Sequence, residues 1–285
     1  MLLIRWMSRL PLWLLHGLGA LAGWAAFAFS AAYRKRLWAQ ARAAGATRRQ
    51  ARGAVAAAGR MLFEIPWLWL RPADQGLGDW VCWDGAERLQ SLLDEGRGLL
   101  LMTPHLGCFE VAAQAYAERF GAQAPITVLF RPARKPWLRE LVAASRQRPG
   151  LKAAPATLAG VRQMLRALRQ GEAVGLLPDQ VPPEGLGVWA PFFGRPAYTM
   201  TLAARLMQQT GAAVVLLWCE RLSGGHGFVV HVRDFPPLPA EAGLEGLSAH
   251  VNRTMETLIL EAPQQYLWGY NRYKNPRPLD VGAAP

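Results

Sequence analysis

The sequence predicts an α/β fold: a single domain with a mostly parallel, mixed central sheet flanked by helices, preceded by an N-terminal membrane helix. Three observations carry that expectation. Short apolar runs alternate with segments of helical period from residue 86 to residue 261. Two such runs end at prolines, Pro104 and Pro178, each followed by a residue able to do acid–base chemistry. The first 32 residues hold one long apolar stretch. At 285 residues the chain has the length for a sizeable core.

The apolar stretch runs from Pro11 to Ala32, and its one ionisable side chain is His16. It exceeds the roughly 20 residues needed to cross a bilayer. Ala26-Phe27-Ala28 resembles a signal-peptidase site, but the apolar region is too long for a signal peptide. A basic cluster, Arg34, Lys35 and Arg36, also follows directly, which disfavours export. The stretch is therefore expected to be a retained anchor over residues 1–33, with the working domain over residues 34–285. More positive charge lies after the stretch than before it (Arg5 and Arg9), so a spanning anchor would leave the domain in the cytoplasm.

Arg42, Arg48, Arg49, Arg52 and Arg60 continue the basic run among alanines, and Trp67 and Trp69 follow in the segment 61–70. A basic helix of this kind suits an anionic membrane surface, where each cation contributes about 1 kcal/mol. The whole chain is 52% hydrophobic with 12 Trp, and its net charge of +12 calls for acidic partners: anionic lipid, nucleic acid or an acidic carrier protein. Nothing in it resembles a nucleic-acid module, so no nucleic-acid partner is expected. Three scattered cysteines, Cys82, Cys108 and Cys219, form no C-x-x-C pair and fit a reducing compartment.

In the body, residues 86–95 read as a helix and Leu99–Thr103 as the first core strand. Residues 126–130 read as a strand and 137–147 as a helix. Residues 157–170 form an amphipathic helix closed by Gly171, and residues 173–177 a buried strand. Residues 199–210 read as a helix stopped at Gly211. Residues 213–219 and 228–232 form an antiparallel pair across Ser223-Gly224-Gly225, and residues 247–261 a last helix.

The chemistry centres on Leu99–Val111. The strand delivers His105 past Pro104, and Glu110 follows in a new helix, where its carboxylate can fold back onto the imidazole. A histidine oriented by a carboxylate is the smallest general-base unit; it takes the proton from a hydroxyl that attacks an acyl carbon. Spacing alone favours a strand-end histidine satisfied by a backbone carbonyl, and the surrounding motifs favour the general base. Cys108 could serve as a nucleophile or as a small buried helix residue. There is no G-x-S-x-G elbow, phosphate-binding P-loop or G-x-G-x-x-G turn. His226 and His231 fall on opposite faces of a strand, so neither a metal nor an organic cofactor is expected.

With those landmarks placed, the chain resembles the late acyltransferases of lipid A biosynthesis, of the lauroyl/myristoyl type. The resemblance runs from the apolar helix to Pro278 and rests on the order of five motifs. They are His105–Glu110, Arg131-Pro132 with Lys135-Pro136, Pro178-Asp179-Gln180, Pro191-Phe192-Phe193-Gly194 with Ala197 and Thr199, and Gln265-Tyr266 and Trp268 with Arg272, Lys274 and Pro278. It implies acyl transfer from acyl carrier protein to a hydroxyl of a phosphorylated glucosamine disaccharide at the bacterial inner membrane. In that setting His105 and Glu110 would be the catalytic pair, and Arg131 would stabilise the oxyanion or grip a phosphate. Asp179 and Gln180 lie at a strand's carboxyl end, where catalytic and binding groups collect. Arg272 and Lys274 would meet sugar phosphates or head groups.

The sequence departs from the family at Lys135, at Val181-Pro182-Pro183 and at Gly269-Tyr270-Asn271-Arg272. Those positions leave another glycolipid, a glycerolipid or an aminolipid open as acceptor. A non-catalytic, membrane-anchored basic protein that binds lipid or nucleic acid is the alternative from a different class.

Overall fold

A seven-stranded mixed sheet carries the molecule in the computed structural model, which describes residues 2–72, 74–130, 148–239 and 242–278. Four helices come first: α1 (Leu2–Met7), α2 (Leu12–Phe29), α3 (Ala31–Ala43) and α4 (Arg48–Trp69). Then follow β1 (Val81–Asp84), α5 (Ala86–Asp94), β2 (Leu99–Met102), α6 (Phe109–Phe120), β3 (Ile126–Phe130) and β4 (Leu151–Pro155). The chain continues through α7 (Leu158–Arg169), β5 (Ala173–Leu176), β6 (Gly187–Phe192), β7 (Arg195–Met200) and α8 (Leu202–Thr210). It closes with β8 (Ala213–Arg221), β9 (Phe228–Asp234) and α9 (Leu244–Glu261). Strand order in the main sheet is β1-β9-β8-β2-β5-β3-β4, and β6 with β7 forms a separate hairpin. Every pairing in the main sheet is parallel except β8 with β9.

The central strands are covered on both faces, and their side chains alternate accordingly. Leu100, Met102, Val174, Leu176 and Leu216 enter one core with residues of α3, α7, α8 and α9. Leu99, Leu101, Ala173, Val215 and Leu217 enter the other with residues of α5 and α6, and also with Leu12 and Leu15 of α2. Local signals end the helices where the sequence places them. Thr157 accepts from Gly160 N at the start of α7. Thr47 and Gln50 close a capping box on α4, with hydrogen bonds of 3.2 and 2.8 Å. Gly211 sits at φ 62° beyond α8, in the left-handed region that a side chain disfavours.

Helix α2 is long and apolar enough to cross a membrane, with mean hydropathy 1.5 over 18 residues. One face of it is nonetheless docked on α4. Gly19 and Gly23 meet Gly59 so closely that a Cβ on Gly59 would stand 1.9 Å from Gly19 O. Its outer face exposes Trp13, Leu21, Trp24 and Phe29, the last 92% accessible. Arg34, in the first turn of α3, turns back to donate to Phe27 O and Ala28 O at the open carboxyl end of α2.

The sequence reading overlooks β1, β4 and the β6–β7 hairpin, and it starts a helix at Thr199 where the chain is still in β7. Thr199 pairs with Val188 across that hairpin, and the helix begins at Leu202. A short edge pairing of this kind is settled by its partner and leaves a weak local signature. The helix expected over residues 137–147 lies outside the described residues.

Candidate active site

β2 and β5 are parallel neighbours with Met102 opposite Leu176. His105 and Asp179 each stand three residues past that pair, each directly after a proline, so the register carries them to the same height at the carboxyl edge. There His105 Nδ1 lies 2.7 Å from Asp179 Oδ1, and the His105 backbone N–H donates to Oδ2 at 3.0 Å. Tyr266 OH donates to the same Oδ2 at 3.1 Å. The other ring nitrogen, Nε2, is 2.9 Å from the side-chain amide of Gln180. Phe109 closes one side of the imidazole, edge-on at 4.8 Å between ring centres.

The loop bearing His105 is held from both sides. Leu106 bridges to Tyr266, Gly107 N donates to Gln265 O, Cys108 N donates to Cys219 O, and Leu267 N donates to His105 O. Gly107 adopts φ 62°, and a Cβ there would stand 1.9 Å from Cys219 O, so only glycine fits between β8 and the C-terminal segment.

Electrostatics separate the two partners. The Asp179 side chain is 2% exposed and that of His105 16%. Burial alone would raise the Asp179 pKa. The adjacent imidazole, the two hydrogen bonds from His105 and the more distant Arg272 outweigh it and hold the carboxyl below the ordinary aspartate value. Burial, and then the Asp179 charge, push the Tyr266 hydroxyl well up, so it stays a donor. An ionised Asp179 accepts the Nδ1 proton, which leaves the lone pair on Nε2. This is the tautomer in which an imidazole can take a proton from a bound hydroxyl.

Two expectations about individual residues are corrected. Glu110 does sit in the first turn of α6, but it accepts from Trp69 Nε1 at 3.3 Å, and Asp179 is the carboxylate on the imidazole ring. The cause is the loop between them. Its bridges to Tyr266 and Cys219 carry the chain from His105 into the helix, while the neighbouring strand delivers Asp179 straight to Nδ1. Arg272 is not on the surface either. It is 1% exposed, donates to Tyr198 O at 2.7 Å and Thr199 Oγ1 at 2.8 Å, and lies over the Phe192 ring. It fastens the C-terminal tail to the β6–β7 hairpin. Lys274 is half-buried with its Nζ 4.9 Å from the Tyr270 ring centre. Arg131 lies outside the described residues, as do Lys135 and Pro136.

Tyr266 is the residue of this cluster whose contact the sequence reading missed. It belongs to the quoted tail motif, but only the fold brings it across to Asp179. Asp179 itself carried a local sign, since its Leu-Pro-Asp exit repeats the Thr-Pro-His exit of β2.

Comparison with known proteins agrees with this architecture. The description "Bacterial lipid A biosynthesis acyltransferase" matches residues 6–275. The chain is 28% identical over 224 residues to the lipid A biosynthesis lauroyltransferase of Escherichia coli (strain K12), covering 78% of this chain and 71% of that protein. It is 25% identical over 223 residues to the palmitoleoyltransferase of the same organism, covering 78% and 70%. To its myristoyltransferase it is 24% identical over 203 residues, covering 70% and 61%. A match that takes in the docked apolar helix, both proline-ended strands and the tail over Asp179 is a match to the whole machine, and the chain belongs to the bacterial lipid A biosynthesis acyltransferase family.

Proposed function

We propose that this acyltransferase moves a fatty acyl chain from acyl carrier protein to a hydroxyl of a lipid A precursor, a phosphorylated glycolipid, with His105 as general base. The observation that carries the proposal is the buried Asp179 carboxylate on His105 Nδ1. An acceptor hydroxyl taking the place of the Gln180 amide at Nε2 would give its proton to His105 as its oxygen attacks the thioester carbon. Collapse of the tetrahedral intermediate expels the carrier thiolate, which takes that proton back from the imidazolium. Asp179 stabilises the imidazolium in between. A positioned base of this kind contributes about 10²–10⁴ in rate.

Within this scheme Arg131 would stabilise the oxyanion or hold a phosphate, and Lys274 would meet phosphates or head groups. Gln180 would give way to the acceptor hydroxyl. Glu110 stays in the proposed set as the second carboxylate of the H-x4-E segment. The apolar outer face of α2 and the arginines of α3 and α4 support residence at the bacterial inner membrane, with the domain on its cytoplasmic face. In that scheme residues 1–33 form the anchor and 34–285 the catalytic domain.

The test is acyl transfer by purified protein from acyl carrier protein to a lipid A precursor, with His105→Ala alongside. The variant should lose about 10²–10⁴ in turnover while remaining folded and membrane-bound. Turnover close to that of the unaltered chain would reject the mechanism. Mass spectrometry of lipids from cells with and without the protein identifies the acceptor; a new acyl chain on a glycerolipid or aminolipid instead would reject lipid A.

A further inference from the structure

Behind the His105 loop lies a second cluster of charge that the mechanism does not use. Arg221 ends β8, and its guanidinium grips both carboxylate oxygens of Glu64 in α4, through Nη2 to Oε2 at 2.6 Å and through Nε to Oε1. His16, from the apolar helix α2, places Nε2 2.7 Å from the same Oε1. All three side chains are sealed: Glu64 is 1% exposed, Arg221 3% and His16 6%. Burying such groups is costly, and a buried ion pair seldom adds stability over apolar residues of the same size. Some other use would explain three of them at one point.

Their contacts lead to the loop. Arg221 Nη2 also donates to Gly107 O at 3.3 Å. The Gln265 side chain brackets the Arg221 backbone, accepting from its N–H at 2.9 Å and donating to its carbonyl at 3.1 Å. Gln265 O in turn accepts from Gly107 N. Arg221 and Gln265 thus hold Gly107 by both its N–H and its carbonyl, two residues beyond His105. At the far end, glycine contacts fix how α2 seats on α4: a Cβ on Gly23 would stand 2.3 Å from Val55 O, and one on Gly59 1.9 Å from Gly19 O. In that seating His16, three residues before Gly19, meets Glu64, so the polar contact joins the docked helix to the buried ion pair.

We propose that His16, Glu64 and Arg221 are positioning residues, a chain through which the docked apolar helix α2 holds the His105 loop in its working place. The proposal rests on the reading that His105 is the catalytic base. Loss of the chain would let Gly107 shift and carry the imidazole away from Asp179, the carboxylate on its ring. The expected consequence is slower chemistry with substrate binding intact.

The experiment uses the full-length protein in detergent, with kcat, both KM values, the kcat–pH profile and the thermal midpoint measured on each variant. The double variant Glu64→Leu with Arg221→Met removes the ion pair without leaving a lone buried charge. It should keep a thermal midpoint close to that of the unaltered chain, lose about tenfold or more in kcat, and hold both KM values within about twofold. The acid limb of its profile should move to lower pH, because displacing the ring from Asp179 removes the negative charge that favours an imidazolium. An inactive fraction would scale the profile without moving that limb. A kcat within twofold, an unmoved limb, or an effect confined to KM would each overturn the proposal. Should the double variant not fold, Arg221→Lys decides. It keeps the cation beside Glu64 but lacks the fork that reaches Gly107 O, and it should show the same changes in smaller degree; unchanged kcat and limb would overturn the proposal. His105→Ala run in parallel separates the two ideas, since activity in that variant would reject the catalytic reading itself.

Discussion

Two buried carboxylates, Asp179 and Glu64, each lie against a histidine, and the contrast between them separates the proposed working site from a proposed fastening. Among the described residues, Asp179 is matched by no fixed cation in direct contact. Its partners are the His105 ring and backbone and the Tyr266 hydroxyl, and the ring keeps Nε2 towards the half-exposed Gln180 side. Its negative charge is available to an imidazolium that forms and disappears during a reaction cycle. Glu64 is neutralised permanently by the bidentate Arg221, and its histidine is sealed from solvent. Burial would raise the Glu64 pKa, but Arg221 and then His16 bring it down to about 2. On the proposed reading, the same pair of residue types would serve proton transfer where the cation can come and go, and positioning where it cannot.

That contrast breaks most readily on rate. Asp179→Asn should cost about 10²–10³ in kcat, because an amide can neither select the Nδ1–H tautomer nor stabilise the imidazolium. Glu110→Gln should cost less, since Asp179 is the carboxylate that lies on the imidazole ring. Parallel turnover measurements decide the order, and a Glu110 effect equal to that of Asp179 would move the catalytic carboxylate to α6.

Stability should show the opposite order. Glu64→Gln leaves Arg221 buried without its counter-charge and should destabilise by about 3–5 kcal/mol. Asp179→Asn leaves a histidine that can remain neutral and should destabilise by only about 1–2 kcal/mol. Chemical denaturation of both variants in detergent tests the ranking, and equal losses would erase the distinction drawn here.

The acid limb of stability sharpens it further. The Glu64 pKa is lower in the folded chain than its ordinary 4.5, so its contribution is complete above about 4.5 and is lost as pH falls towards 2. The lost contribution is about 3 kcal/mol. Glu64→Gln should flatten that part of the pH–stability curve, and an unchanged slope between pH 4.5 and 2 would contradict the assignment.

The smallest effect concerns the surface. Reversing Arg48, Arg49 and Arg52 to Glu in the full-length protein should weaken flotation with anionic liposomes by about 1 kcal/mol per arginine and leave binding to neutral liposomes unchanged. The effect should fade as salt shortens the Debye length from about 10 Å at 0.1 M to about 3 Å at 1 M. Equal flotation of the reversed and unaltered proteins would remove the basic surface from membrane attachment. Deleting residues 1–32 is a poorer probe than the sequence suggests, because Leu12 and Leu15 belong to the core and His16 to the Glu64 cluster.

What the sequence determined by itself is local. Apolar runs at strand length, capping by Thr157, the stop at Gly211 and the long apolar helix all depend on residues close together in the chain, so α7, α8 and β2, β3, β5, β8 and β9 were legible. So was His105 as the residue delivered past β2. The tertiary structure alone decided its partner. Spacing pointed to Glu110 five residues on, whereas the ring meets Asp179, 74 residues away, because parallel pairing sets two strand ends side by side. It likewise turned Arg272 from an expected surface cation into a buried brace, and docked an apparent anchor onto the core. Period and capping are written in neighbouring residues; register between strands and burial of charge exist only once distant segments have met.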